Sequence, residues 1–465
     1  MSRSLATALR PSSAPPLDLE RPLIRSRRFW SLLGAQSLGT FADNTLRAAA
    51  IIGIAAAWRA GAGPGEAFFV PAWLASEAGA WVGICFTLPI FVFSMIAGQV
   101  AEKVDRHVII RVVKVVEVVL MACAAVFFAL GNAYGLLAFL LLMAVQSTFL
   151  APTRATMMPQ YYPGPELIRA NGFFQAISFT ALVAGLVLGG LLIILPQGRT
   201  IVAVLLVAAA LAGLVCAYRT PAAPSPGLAR INWNIPQQSV RMYREVGRMP
   251  GVLWPMLGVG WFLGVGALVL ANLEPFVAAV GGVSADFGLL QAIFAIGAAM
   301  GSAVAGVVAS RMRDPMVLAG AGLAGTILCA VAITAVSLGL AETAAAPRSL
   351  VLAPSPARLG LCALMLLTAA CNGFFVVPLL TAVQARAPDA ERGRVLGTSN
   401  MTNGGFATLF GLLVPVTRET GLTPITLFLA VGALQAMLLA FMWHRRRTHA
   451  PEPVAGPGAR AAAFD

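Results

Sequence analysis

The chain has 465 residues, of which 58% are hydrophobic and only 11% charged, less than half the charged fraction of an ordinary soluble domain. Over this length that balance excludes a single soluble core and points to many membrane spans. The net charge of +13 sits in short basic clusters between apolar runs, not on one amphipathic face, which argues against nucleic acid as a partner.

Residues 1–28 are rich in Arg, Pro and Ser and hold no apolar h-region, so they are expected to form a cytoplasmic tail and not a cleavable signal peptide. Apolar stretches long enough to cross roughly 30 Å of hydrocarbon follow at 29–58, 76–101, 107–131, 133–152, 169–195 and 199–218. A polar interval at 219–251 separates them from a second set at 252–281, 284–310, 315–340, 358–383, 394–416 and 424–443. The expected fold is therefore an all-α polytopic membrane protein: twelve transmembrane helices in two six-helix bundles, 29–218 and 252–443, with a central cytoplasmic loop between them. A basic cytoplasmic tail, 444–465, ends the chain.

Basic residues set the orientation. With the N-terminus inside, every Arg and Lys lies on a cytoplasmic segment or its helix ends except Arg47, Arg59, Arg199, Arg348, Arg358 and Arg418. Both termini are thus expected inside. In the central loop, Gln237 to Arg248 reads as a short basic helix on the anionic inner leaflet or as a plain linker. The six cysteines lie in apolar stretches without paired spacing and read as small fillers, with no disulfide or metal site. His107, His444 and His449 all fall at span edges.

An internal repeat supports the six-plus-six division. Gly98-Gln99-Val100-Ala101-Glu102-Lys103-Val104-Asp105-Arg106 follows the second span, and Gly306-Val307-Val308-Ala309-Ser310-Arg311-Met312-Arg313-Asp314 follows the eighth. A weaker echo links Pro152 to Asn171 with Pro378 to Asn400.

Asp43-Asn44 is the sharpest chemical signal. Asp43 lies about 21 Å along the first helix, where an ionisable group needs a cavity or a partner. Arg47 follows one turn later, in the favourable order for an i, i+4 pair. Two readings stand: a self-satisfied ion pair, or an anchor for a zwitterionic head group, with Asp43 facing the amine and Arg47 the phosphate. Arg111, Lys114 and Glu117 share one helical face; with Glu102, Asp105 and Arg106 they form either a charge latch on the cytoplasmic side or ordinary positive-inside anchoring, the basic pair snorkelling to the surface. Arg154 follows Pro152, expected to end the fourth helix. Gln146, Asn372, Gln175, Asn400 and Asn403 complete a candidate polar lining for a central path, or serve singly as helix–helix hydrogen bonds. Asn272 and Glu274 fall late in the seventh helix, where Pro275 is expected to break it. No phosphate-binding loop, zinc-protease motif or catalytic triad is present, so neither an enzyme nor an ATP-driven pump is expected, and no cofactor is implied.

Several segments resemble the lysophospholipid transporter family of the major facilitator superfamily, most closely the transporter portion of acyltransferase-fused members. They include Phe41-Ala42-Asp43-Asn44-Thr45-Leu46-Arg47, Leu88-Pro89-Ile90-Phe91 through Gly98-Gln99, Val113-Lys114-Val115-Val116-Glu117, Gln146-Ser147-Thr148-Phe149, Pro152-Thr153-Arg154, and Arg169-Ala170-Asn171-Gly172 with Gln175. Gly373-Phe374-Phe375-Val376-Val377-Pro378-Leu379 and Arg392 to Asn400 extend the likeness into the second half. The resemblance covers roughly 29–440. It implies flipping of lysophosphatidylethanolamine-like lipids from the outer to the inner leaflet of a bacterial cytoplasmic membrane, for re-acylation inside. A monomer is expected, with membrane lipids and a separate cytoplasmic acyltransferase as partners. It marks Asp43, Asn44, Arg154 and Asn171 as matching the family's polar motifs. Arg154 replaces a usual Lys, Gln175 a usual acid, and Leu270 stands where some members carry Arg. The alternatives are a proton-coupled exporter of amphipathic drugs using Asp43 or Glu117, and a membrane platform that docks lipid acyltransferases.

Overall fold

The computed structural model describes residues 26–75, 78–162, 164–227, 230–283, 285–343, 348–350, 353, 355–419 and 421–448. Most of the two tails expected at 1–28 and 444–465 lies outside the described residues, as do the side chains of Arg59, Glu274, Arg418 and Arg445 to Arg447. The described chain is helical throughout. In order, the helices are α1 (Arg27–Arg59), α2 (Ala72–Ala75), α3 (Ala78–Lys103), α4 (Arg106–Leu130), α5 (Ala133–Tyr161), α6 (Pro165–Ile193), α7 (Gly198–Tyr218) and α8 (Ile235–Arg248). They continue with α9 (Leu253–Ala271), α10 (Leu273–Ala279), α11 (Ala285–Ala309), α12 (Met316–Thr343), α13 (Pro356–Arg386), α14 (Arg392–Glu419) and α15 (Thr426–Thr448). Among the described residues, 9 helices are long and apolar enough to cross a membrane: α4 to α7, α9, α11 to α13 and α15. The long helices α1, α3 and α14 fall outside that set. For α1 and α14 the reason is chemical: they carry polar runs, Gln36 to Arg47 and Thr398 to Asn403.

Local chemistry sets the ends. Gly131 closes α4 with φ 65°, a left-handed conformation that costs a β-carbon-free residue nothing. Asn132 then caps α5 through its side chain, accepting from the Gly135 amide at 2.9 Å. One expectation is corrected and one holds. Pro152 does not end the fourth helix: α5 runs through Pro152 and Pro159 to Tyr161. Neighbouring hydroxyls add bonds within the helix, Thr153 to the Phe149 carbonyl at 2.7 Å and Thr156 to the Thr153 carbonyl at 2.7 Å, and α5 packs along α3 and α4; membrane helices tolerate proline in such surroundings. The break in the seventh helix falls at Asn272, because the Pro275 ring crowds the carbonyl four residues earlier, at Ala271.

α1 packs on α5, α6 and α7, and α4 on α5 and α7; later in the chain α13 packs on α9, α11 and α12, and α15 on α12. These two groups meet along α6–α11 and α3–α14. Both seams close on glycine. A β-carbon at Gly98 would strike the Gly393 carbonyl, and one at Gly172 would strike Gly306, so backbones touch where small residues permit it. All four glycines lie toward one end of the molecule, the end carrying the α3–α4 and α11–α12 turns. A further apolar cluster seals that end: Met95, Ala155, Met242, Val246, Met256, Val383 and Val395, drawn from α3, α5, α8, α9, α13 and α14. Toward the opposite end the helices keep separate apolar cores, Leu46, Phe128 and Leu136 in one and Phe276, Ile333 and Phe428 in the other.

Candidate functional site

The charged centre grows out of α1, α4 and α5. Lys114 and Glu117, three residues apart on α4, are 0% and 1% exposed and pair at 2.6 Å. Space for them comes from Gly39 on α1, where an added β-carbon would stand 2.5 Å from the Lys114 ammonium; one at Gly213 on α7 would stand at an ordinary contact distance, 3.5 Å. Gln146 on α5 donates to the Glu117 carboxylate at 3.3 Å and to the Val113 carbonyl at 3.0 Å. The Ser147 hydroxyl lies 2.8 Å from Asp43 Oδ2 and 3.1 Å from Gln146 Oε1; with one proton it serves one of them at a time. A chain of polar contacts thus runs Lys114–Glu117–Gln146–Ser147–Asp43. Asp43 Oδ1 and Glu117 Oε1 are buried without a hydrogen bond. Arg47, one turn beyond Asp43, interacts with it electrostatically.

Arg154 on α5 is the counterpart. Its guanidinium stands 5.8 Å from the Phe174 ring centroid, and its Nε is buried without a hydrogen bond. No acid pairs with it among the described residues. A half-buried cation without an acid beside it, its Nε buried and unbonded, is an open position for an anion. Four more candidates are half-buried: Gln175 on α6, Asn372 on α13, and Asn400 and Asn403 on α14, with Asn403 Oδ1 buried and unbonded.

Other candidates are engaged within or between helices. Asn44 is buried, donates to the Thr40 carbonyl at 2.7 Å and packs against Gly185 of α6, so it serves helix contact. Gln146 is committed to α4. Asn171 is fully buried at the closed end, donating to Gln384 at 2.8 Å and Thr381 at 3.0 Å, both on α13. Asn272, also buried, bonds the Leu268 carbonyl at 2.9 Å.

The six-residue latch divides. Glu102, fully buried, holds Arg394 of α14 doubly: its carboxylate accepts from the Arg394 side chain at 2.8 Å and from the Arg394 amide at 2.8 Å. Asp105 accepts from the Ser225 amide at 2.9 Å. Arg106 is buried, its Nε donating to the Ala101 carbonyl at 3.4 Å. Arg111 stacks over Tyr218 at 5.5 Å. Lys114 and Glu117 neither snorkel nor join Glu102; helical period turns them inward onto Gly39, and they belong to the Asp43 network. Ser147, Thr381, Gln384 and Arg394 escaped the sequence reading as site residues. Only Ser147 had a signal, its place next to Gln146.

A family model described as Major Facilitator Superfamily matches residues 67–412. The chain is similar to the lysophospholipid transporter LplT of Escherichia coli O157:H7, 22% identical over 430 residues that cover 91% of this chain and 97% of that protein. It is 23% identical over 431 residues to LplT of Shigella sonnei, with the same coverage. Among solved structures, the proton:xylose symporter XylE bound to 6-bromo-6-deoxy-D-glucose superposes with a TM-score of 0.64 at 13% identity, covering 90% of this chain and 95% of the symporter. A bacterial homologue of the iron transporter ferroportin in an outward-facing state gives 0.62 at 12% identity, covering 89% of this chain and all of that one, 100%. These likenesses show the fold.

Proposed function

Because the chain belongs to the Major Facilitator Superfamily, we propose that it is a secondary transporter that flips lysophosphatidylethanolamine-like lipids to the inner leaflet of a bacterial cytoplasmic membrane. In this reading α1, α3 and α14 complete twelve spans, 29–218 and 252–443 are two rocking bundles, and both termini are cytoplasmic. The closed end, with Glu102–Arg394, then faces the cytoplasm, and the path opens outward. The relatives named for lysophospholipid transport support the cargo class.

The observation that carries the reading is the pair of open, opposite polar atoms on neighbouring helices: Asp43 Oδ1 on α1 and Arg154 Nε on α5, both buried and unbonded. A zwitterionic head group supplies an ammonium for the first and a phosphate for the second. Arg47 and the half-buried amides Gln175, Asn372, Asn400 and Asn403 take its remaining polar atoms, while the acyl chain stays against apolar helix faces. The flipped lysolipid is the substrate class of a separate cytoplasmic acyltransferase, and the transporter itself works as a monomer.

The test is uptake of labelled lysophosphatidylethanolamine into proteoliposomes. Asp43→Asn and Arg154→Gln lower the rate by about 10- to 100-fold, the equivalent of one lost charged hydrogen bond, while Arg154→Lys retains transport. Native protein that moves no lysolipid, yet exchanges an amphipathic cation for protons, refutes the assignment.

A further inference from the structure

We propose that the exposed face of α8 is a docking surface for the head groups of anionic phospholipids. The helix has two sides of opposite character. Its inner side buries Gln238, Ser239, Met242 and Val246, the last two within the apolar cluster that seals the closed end. The Tyr243 hydroxyl bonds Thr402 of α14 at 2.5 Å, and the segment leading into α8 bonds α3, the Asn232 amide donating to Gln99 at 2.6 Å. The helix is therefore fixed on the α3–α14 seam and cannot present its outer side elsewhere.

That outer side carries Pro236, Val240, Arg244 and Arg248 along one ridge at fourfold spacing, with Arg241 beside them; all five are exposed. Together they line a shallow groove. Arg241 is engaged by Glu245 at 2.7 Å. Arg244 and Arg248 have no acidic partner among the described residues. Two unpaired guanidinium groups next to a valine and a proline match a surface that is anionic on one side and apolar on the other.

The aromatic residues give the depth. Trp30 opens α1, Trp254 opens α9 and Trp443 closes α15, all at the closed end and 52%, 44% and 60% exposed. Trp233, immediately before α8, is 71% exposed. Tryptophans at such positions mark the level of the lipid head groups, and Trp233 puts α8 at that level. The guanidinium groups of Arg244 and Arg248 then meet lipid phosphates; an acidic protein partner would have no use for the exposed Val240 and Trp233.

The experiment uses the full chain in mild detergent and counts phosphatidylglycerol against phosphatidylcholine retained on the protein by native mass spectrometry. The native chain prefers phosphatidylglycerol. The triple variant R241Q/R244Q/R248Q loses that preference by about 30-fold, the loss expected for two unpaired basic residues beside an anionic surface, and the triple lysine variant keeps it. All three side chains are exposed, so thermal unfolding of both variants matches native. A glutamine variant that retains the preference, or a native chain that shows none while binding soluble polyglutamate, overturns the proposal. Lysolipid uptake is a separate readout, so failure of the cargo assignment leaves this result legible.

Discussion

Lys114 and Glu117 illustrate what a buried ion pair does at the level of single residues. Removing both charges from water is expensive, and their attraction offsets this only with further hydrogen bonds in place. Gln146 supplies one such bond, to the same carboxylate oxygen that the ammonium uses. Losing one partner leaves an uncompensated charge inside the helix bundle. Lys114→Met is therefore expected to destabilise the protein by about 3–5 kcal/mol, whereas Lys114→Met with Glu117→Leu recovers most of that loss. Thermal unfolding in detergent checks the cycle; equal damage from the single and double variants would show that the pair is not a coupled unit. Asp43 is tied to the same network through Ser147. Sequence spacing placed Lys114 and Glu117 on one face and paired them, but it could not say which way that face turned. The deciding feature was Gly39, on another helix, which makes room for an ammonium group.

At the level of helices, the closed end is a set of specific contacts between α3 and α14 and between α6 and α13. Glu102 spans two donors of Arg394, Asn171 bonds Gln384 and Thr381, and Gly98 lets the α3 and α14 backbones touch. A charged hydrogen bond contributes about 1.5–3 kcal/mol. Glu102→Gln is thus predicted to shift the closed-to-open ratio at this end by about 10- to 100-fold, read as faster labelling of a cysteine placed at Thr398, which is fully buried in the seam. Unchanged labelling would make Glu102 a packing residue and not a latch. The charged turn after the second span was legible as a connection between helices. Its partner was not, since Arg394 lies 292 residues away and basic residues near helix ends are ordinary. Helix ends were legible to within a turn where glycine or asparagine set them. Pro152 misled because proline is tolerated inside membrane helices, where packing against neighbouring helices keeps the span continuous.

For the whole molecule, composition and the run of apolar stretches carried most of the architecture, because lipid forces every span to satisfy its own backbone. The same logic explains why α1 and α14 look least like membrane helices: their polar residues are those assigned to the path. What composition could not convey is the closure at the Glu102–Arg394 end, which depends on glycine contacts and side-chain bonds between distant segments. Alternating access requires that lysolipid convert this state into its mirror. The direct measurement is a pair of spin-label distances in lipid nanodiscs, Lys103 to Ala390 across the closed end and Ala60 to Ala278 across the other. Adding lysophosphatidylethanolamine is predicted to lengthen the first and shorten the second together. Distances that stay fixed with lysolipid, or that change in the same direction, would contradict alternating access by the two bundles with this cargo.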